Sequence, residues 1–242
     1  MSPKIVVVTG ANRGIGLALV EQFSRRGDTV IATVRSRSKA AGTPLVSLPN
    51  VKLVELDADD IATIDPAVAA IEKAAPEGID ELWNNLAVAN SGQNGWSVRD
   101  VVTDDVQKVF QVNVVAPAYL TSKLLPLLEK HTTKKVVFVS TAAASFEFVK
   151  KLRDFFATMK LPFIYSASKS ALNMTALYFH NQLNSSGFTI VPIHPGVVLT
   201  GMNPQGEIST EESAKKCIDV ADSVSAEDDF ALRSYDGSVI PW

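Results

Sequence analysis

The chain alternates short apolar runs, rich in β-branched residues, with longer stretches in which apolar residues recur at helical spacing. Uniformly apolar runs of this length predict strands covered by helices on both faces of a sheet. In the first helical stretch, Ile15, Leu19 and Phe23 fall on one face. The predicted strands are 5–8, 30–34, 51–56, 81–83, 136–139 and 189–193, and the helical stretches are 14–26, 64–74, 103–130 and 165–184.

This alternation predicts one α/β domain over 1–242, with a doubly wound parallel sheet of the Rossmann type. No internal repeat and no long linker divides the chain. Ligands of such sheets bind at the carboxyl ends of the strands. The residues that follow each predicted strand are therefore the candidates for chemistry.

Composition and charge exclude several function classes. Hydrophobic residues make up 46% of the 242 residues, which is ordinary for a globular protein, and the net charge of -3 provides no basic footprint for nucleic acid or an anionic membrane. No apolar stretch approaches the roughly 18 residues that span a bilayer. A lone cysteine, Cys217, and three dispersed histidines argue against a disulfide and against a metal site. We expect a cytoplasmic protein without nucleic-acid or membrane partners.

A glycine-rich turn, TGANRGIG at 9–16, follows the first strand and opens a helix. Gly10, Gly14 and Gly16 permit a tight turn in which backbone N–H groups approach a pyrophosphate, and the helix N-terminus adds positive potential. The turn lacks the Gly-Lys-Ser/Thr ending of nucleotide-triphosphate loops, which disfavours ATP. The alternative is an ordinary glycine-rich turn without a ligand.

Cations follow the second strand, where an NAD site would carry an acidic residue for the ribose 2′-hydroxyl. Arg35, Arg37 and Lys39 stand there instead, and Arg13 lies within the glycine turn. A guanidinium can neutralise a 2′-phosphate through charge-assisted hydrogen bonds, which favours NADP(H) over NAD(H). The alternative is a solvated basic loop.

A tyrosine and a lysine at i and i+4, Tyr165 and Lys169, share one face of a long helix. A nearby ammonium favours the phenolate, so the pair could donate a proton near neutral pH; a surface pair is the alternative. Asn113, within the apolar stretch 109–128, needs a hydrogen-bond partner or marks a kink with Pro117. His194, before Pro195, is interpreted as a hydrogen-bonded turn histidine rather than a catalyst.

Taken together, these residues resemble the short-chain dehydrogenase/reductase family over essentially the whole chain. The matching motifs are TGANRGIG at 9–16, Asp57, Asn84-Asn85, Asn113, the hydroxyl residue after the fifth strand, YSASK at 165–169 and Pro195-Gly196. The ending YDGSVIPW, at 235–242, resembles that of carbonyl reductases of the sniffer and C-factor type.

The resemblance implies a catalytic role for four residues. Tyr165 would be the general acid in carbonyl reduction, and Lys169 would hold the nicotinamide ribose and lower the Tyr165 pKa. Thr141 would orient the substrate carbonyl, and Asn113 would anchor a water of the proton relay. The implied reaction is NADPH-dependent reduction of a small-molecule ketone or aldehyde, in a homodimer or homotetramer.

The resemblance also implies a set of residues that bind NADP(H). Gly10, Asn12, Arg13, Gly14, Ile15 and Gly16 would line the pyrophosphate and ribose, Arg35 would meet the 2′-phosphate, Asp57 the adenine and Asn85 the adenosine ribose, while Val198 and Thr200 would meet the nicotinamide carboxamide beside Tyr165 and Lys169.

The chain departs from the family pattern at three places. Thr141 replaces the usual serine, with Ser140 adjacent as a second candidate hydroxyl. Asn84-Asn85-Leu86-Ala87 replaces Asn-Asn-Ala-Gly, which removes a glycine beside the cofactor. Segment 145–163 is longer than usual and is rich in large apolar side chains, so it is either a substrate wall or subunit contact, or an extra helix packed on the domain. These side chains include Phe146, Phe148, Phe155, Phe156 and Met159.

Two alternative functions stay open from the sequence. The altered motifs are compatible with a non-catalytic NADP(H)-binding regulator. The presence of Tyr165, Lys169 and Asn113 argues against this alternative. An NAD-dependent alcohol dehydrogenase of the same fold would contradict the argument from Arg35.

Overall fold

A computed structural model describes residues 2–89, 98–99, 101–154 and 163–242. These residues form one eight-stranded sheet, in which neighbouring strands are hydrogen-bonded to each other. The strands are β1 Ile5–Val8, β2 Thr29–Val34, β3 Val51–Glu55, β4 Glu81–Asn84, β5 Lys135–Val139, β6 Thr189–His194, β7 Leu232–Ser234 and β8 Val239–Ile240.

Helices cover both faces of this sheet. They are α1 Gly14–Arg25, α2 Arg37–Ala40, α3 Ile64–Ala74, α4 Thr103–Phe110, α5 Ala116–Leu128, α6 Phe146–Lys151, α7 Phe163–Leu183 and α8 Thr210–Ser223. Short 3-10 turns lie at Pro44–Val46, Ile61–Thr63, Ala142–Ala144 and Asn184–Ser186, and a π-turn, Gln111–Val115, joins α4 to α5.

The strand order is β3-β2-β1-β4-β5-β6-β7-β8, and every pair is parallel except β7 with β8. The order reverses at β1, whose neighbours are β2 and β4. This confirms the predicted doubly wound α/β fold, with its switch point at the carboxyl ends of β1 and β4. The sheet is mostly parallel rather than wholly so, because β8 runs antiparallel at the edge.

Side chains of successive strand residues point alternately into two separate cores, one on each face of the sheet. Val7 and Leu82 pack with Leu124 of α5 and Leu172 of α7 on one face. The other face buries Val6, Val8 and Trp83 against α1 and α8. Because both faces are covered, the central strands are apolar throughout, as the sequence pattern predicts.

The predicted helix 103–130 is interrupted by the π-turn, in which the N–H of Ala116 donates to the carbonyl of Gln111. Pro117 follows directly and lacks an N–H, so it cannot make the regular bond to Asn113. Bends in long helices commonly arise from prolines or π-turns, and here the two coincide. Asn113 lies within this turn and is fully buried.

Candidate active site

The glycine turn after β1 adopts the conformation that its three glycines allow. Gly10 has a φ of +67° and Gly14 a φ of +58°, a region that other residues rarely adopt. Gly16 is needed for a different reason: a Cβ there would lie 2.3 Å from the carbonyl oxygen of Gly10 and 2.6 Å from Nδ2 of Asn85. The three glycines therefore allow the turn to fold tightly on itself.

Asn85, at the end of β4, braces the glycine turn. Its Nδ2 donates to the carbonyl of Thr9 at 2.8 Å, and its backbone N–H donates to the Thr9 hydroxyl at 3.0 Å. The N–H of Leu86 donates to the same hydroxyl at 3.1 Å. The structure thus brings Asn85 to the turn with its amide engaged there, and the contact with the adenosine ribose stays a prediction.

The first turn of α1 presents unpartnered donors. Between Asn12 and Gly16, no main-chain N–H donates a hydrogen bond within the described part of the chain, whereas the N–H of Ala11 donates to Thr33 at 2.9 Å. Helix N-termini leave such N–H groups free, and they attract anions. The turn therefore fits a pyrophosphate, with the exposed Arg13 beside it.

Arg35, at the end of β2, lies next to the end of β3. Its Nε is 3.6 Å from Oδ1 of Asp57, and its side chain is 58% exposed. Arg37 instead donates from Nη2 to the carbonyl of Leu53 at 2.8 Å, so it is attached to β3. The two residues predicted to meet the 2′-phosphate and the adenine are thus neighbours at one sheet edge.

The loop after β6 reaches over the glycine turn. A Cβ on Gly14 would lie 3.7 Å from Cγ2 of Thr200. Val198 is buried in an isolated bridge with Ile208, and the Thr200 hydroxyl accepts from the N–H of Asn203 at 3.1 Å. Val198 and Thr200 are therefore on the loop that faces the first turn of α1.

Lys169 and the two candidate hydroxyls meet at the carboxyl end of β5. The buried Nζ of Lys169 donates to the carbonyl of Val139 at 2.6 Å. The Ser140 hydroxyl donates inward to Oδ1 of Asn173 at 2.6 Å, whereas the half-buried Thr141 caps the following 3-10 turn. Since adjacent side chains point to opposite sides, Thr141 does not share the inward direction of Ser140, and the choice of Thr141 as the substrate hydroxyl stays a prediction.

Asn113 is fixed by three hydrogen bonds rather than left free in the π-turn. Its Oδ1 accepts from the N–H of Val88 at 2.9 Å, and its Nδ2 donates to the carbonyl of Val88 at 2.8 Å. The same Nδ2 donates to the hydroxyl of Ser168 at 3.0 Å. Sequence reasoning missed Ser168, although it lies inside the YSASK motif. The water predicted at Asn113 stays a prediction.

A family model described as short chain dehydrogenase matches residues 4–211. This chain belongs to the short-chain dehydrogenase/reductase family. An uncharacterized oxidoreductase of Schizosaccharomyces pombe is 33% identical, with 99% of this chain and 98% of that protein covered. Short-chain dehydrogenase srdF of Neurospora crassa is 30% identical, with coverages of 98% and 97%.

Solved structures of carbonyl reductases share the fold of this family member. The NADPH-bound carbonyl reductase from chicken fatty liver superposes with a TM-score of 0.89 at 26% identity, over 100% of both chains. The carbonyl reductase Sniffer of Drosophila melanogaster superposes at 0.85 and 23% identity, again over 100% of both chains. The resemblance read from the sequence motifs is confirmed.

Burial shifts the two titratable groups of the YSASK motif in opposite directions. It raises the pKa of Tyr165 to about 12 and lowers the pKa of Lys169 to about 7. Removal from water disfavours the charged form of each group, which accounts for both directions. The lowering of the Tyr165 pKa by Lys169 stays a prediction.

His194 does not match its expected role as a hydrogen-bonded turn residue. Its Nδ1 is buried and has no hydrogen-bond partner in the part of the chain that the structure covers. Burial lowers the pKa of His194 to about 4, so the ring is neutral at pH 7. The neighbouring Tyr235 packs edge-on, with ring centroids 6.5 Å apart.

The described part of segment 145–163 packs on the domain. The hydroxyl of Ser145 donates to the carbonyl of Pro241 and accepts from the N–H of Phe148 at 2.9 Å. Phe148 packs on Ala142 and Leu232, whereas Phe146 is 77% exposed. The choice between a substrate wall or subunit contact and an extra helix stays open, and Phe155, Phe156 and Met159 lie outside the described residues.

The described ranges contain neither a candidate metal cluster nor a candidate membrane-spanning helix. No group of three or more His, Cys, Asp or Glu side chains there could hold a metal ion. None of the helices in those ranges is both long enough and apolar enough to cross a bilayer.

Proposed function

We propose that this short-chain dehydrogenase/reductase reduces the carbonyl group of a small-molecule ketone or aldehyde to an alcohol, with NADPH as cofactor. The observation that carries the proposal is the convergence at the end of β5. Lys169 is bonded to Val139, two residues before Thr141, and Tyr165 lies one helical turn before Lys169. The chicken carbonyl reductase of the same fold has NADPH bound, which supports the choice of cofactor.

The residues present fit a dinucleotide phosphate. The free N–H groups from Asn12 to Gly16 would hold the pyrophosphate, and Arg35 would meet the 2′-phosphate. When bound, the nicotinamide supplies the hydride; the protein supplies orientation and electrostatics.

In this proposal, Thr141 orients the substrate. Its Oγ1 accepts from the N–H of Ala143 at 3.2 Å, which leaves its own hydrogen available for a carbonyl oxygen. A donor at this oxygen stabilises the negative charge that develops as the carbonyl is reduced.

In this proposal, Tyr165 donates the proton. With its pKa raised to about 12, Oη holds its proton throughout the neutral range and can release it to the developing alkoxide. Lys169, with a pKa of about 7, gains and loses a proton at Nζ near neutral pH. This property suits it to return a proton to the Tyr165 oxygen.

The test is NADPH oxidation with a panel of diketones, quinones and aryl aldehydes, measured for the parent, Tyr165→Phe and Tyr178→Phe. Positioned acid catalysis is worth about 10²–10⁴-fold, so Tyr165→Phe should lose turnover by that factor and still bind NADPH. Tyr178 is the matched control, since it lies on the same helix and is 61% exposed.

Two outcomes oppose the proposal. Parental turnover in Tyr165→Phe would remove the role assigned to the phenol. Tight NADPH binding without oxidation by any carbonyl of the panel would favour the non-catalytic regulator instead.

A further inference from the structure

The first turns of α7 are attached to the domain by consecutive side chains. The Nζ of Lys169 donates to the carbonyl of Val139 at 2.6 Å, and the hydroxyl of Ser170 donates to the carbonyl of Ala144 at 2.8 Å. Ser168, just before them, bonds in a third direction and is fully buried. The helix turn that carries Tyr165 is therefore held from three sides.

The hydrogen bonds of Ser168 have a defined direction. Nδ2 of Asn113 can only donate, so the Ser168 oxygen accepts from it at 3.0 Å. The Ser168 hydrogen then goes to the carbonyl of Tyr165 at 2.8 Å. Because Ser168 and Asn113 are fully buried, water does not compete for either bond.

The other end of this chain of bonds is equally fixed. Asn113 bonds both the N–H and the carbonyl of Val88, at 2.9 and 2.8 Å. Val88 lies three residues after Asn85, which braces the glycine turn. One continuous path of hydrogen bonds thus runs from the loop after β4, through Asn113 and Ser168, to the main chain of Tyr165.

We propose that Ser168 is a positioning residue for the reaction: its hydroxyl fixes the first turn of α7 so that the phenol of Tyr165 stays aligned with the substrate carbonyl. This rests on the proposed carbonyl reduction. Ser168 lies behind the helix, among buried groups, and so acts on the placement of Tyr165 rather than on binding. A misplacement of about 1 Å at a reacting group can cost up to about 10²-fold in rate.

The experiment compares Ser168→Thr with Ser168→Val. The two side chains have the same shape, and only threonine keeps the hydroxyl, which in a helix can still bond a carbonyl one turn earlier. Ser168→Ala adds no volume and decides the question if both larger variants fail to fold. Ser166→Ala, on the same helix turn, is the control, because the Ser166 hydroxyl makes no hydrogen bond to residues that the structure describes.

Turnover is expressed per NADPH-binding site, counted by titration of NADPH fluorescence. We expect Ser168→Val and Ser168→Ala to lose about tenfold in kcat, with the substrate KM and NADPH Kd unchanged. Ser168→Thr should recover most of that loss, and Ser166→Ala should match the parent. A purely structural role would reduce the number of sites and leave kcat per site unchanged.

The outcomes separate the two proposals. If Tyr165→Phe is inactive while the valine and alanine variants keep parental kcat per site, or change only KM, the role of Ser168 is refuted alone. If Tyr165→Phe keeps its turnover, the proposed function fails and the role of Ser168 fails with it.

Discussion

Gly16→Ala tests whether the glycine turn closes on itself as tightly as the structure indicates. The added methyl carbon would lie 2.3 Å from the carbonyl oxygen of Gly10 and 2.6 Å from Nδ2 of Asn85. Cβ atoms essentially never lie closer than 3.0 Å to another nonbonded heavy atom, so both distances are too short unless a neighbour moves. Neither neighbour can yield freely: one is backbone, and the other is bonded to Thr9 at 2.8 Å.

The turn must therefore open to admit the methyl group. Overpacking of this kind typically costs about 1–3 kcal/mol in the free energy of unfolding. In a chain of this size, each kcal/mol lowers Tm by roughly 2–4 °C. Because the same N–H groups form the proposed pyrophosphate site, NADPH affinity should fall as well.

Gly42→Ala is the matched control for this substitution. A Cβ on Gly42 meets nothing within 4 Å, and its φ lies outside the left-handed region. There the change should be neutral, or stabilising by about 0.4–1 kcal/mol through the unfolded chain. The assays are thermal unfolding by circular dichroism and NADPH titration. A Gly16→Ala protein with the parental Tm and Kd would refute the close approach.

Three further predictions concern the charged and hydroxyl side chains. Arg35→Ala should raise the KM for NADPH by about tenfold or more and leave the KM for NADH unchanged. Arg37→Ala should have little effect on either KM, because the Arg37 side chain is attached to β3. Equal effects of the two substitutions would contradict the assignment of Arg35 to the 2′-phosphate. Burial lowers the pKa of Lys169 from 10.5 to about 7. Between pH 7 and pH 10.5 the unfolded chain therefore holds a proton on Lys169 that the folded chain lacks, so the contribution of Lys169 to the free energy of unfolding rises with pH across this window. In urea titrations at pH 7 and pH 10, Lys169→Met should lack that rise, and an unchanged difference would oppose the pKa direction. Thr141→Val should lose turnover while its stability stays near that of the parent. Ser140→Ala should keep most turnover but lower the free energy of unfolding by about 1–3 kcal/mol, because Oδ1 of Asn173 loses its partner. The reverse pattern would exchange the roles of the two hydroxyls.

The sequence predicted the central strands well because they are uniformly apolar and buried on both faces. The run at 5–8 matches β1, and that at 30–34 is one residue short of β2. β7 and β8 escaped prediction, since strands of three and two residues are too short for a hydrophobic period and form through pairing with β6.

The missed helix α8 did carry a usable local signal. Ser209 precedes it, and its hydroxyl accepts from the N–H of Glu212 at 3.1 Å. Ser followed three residues later by Glu is the capping-box pattern that marks a helix start. This element was thus predictable from local sequence, in contrast to the two short strands.

Residues of the site were predictable where they follow a strand end, and not where a distant partner decides their role. Thr141 and Arg35 lie where the strand-end rule places them. The brace from Asn85 to Thr9 spans 76 residues, and the bond from Asn113 to Ser168 spans 55. No local pattern specifies pairings at such separations, so the functions of these side chains emerge only from the tertiary structure.

The change from Asn-Asn-Ala-Gly to Asn84-Asn85-Leu86-Ala87 is compatible with a working site in this backbone. Ala87 does not have a positive φ, so no glycine is required there. The close approach falls after the neighbouring strand β1, where a Cβ on Gly10 would lie 3.0 Å from Cα of Leu86. Since Gly10 is retained, the turn keeps its shape while Leu86 packs against the core. The altered motif therefore provides no structural reason to prefer a non-catalytic binding protein over a reductase.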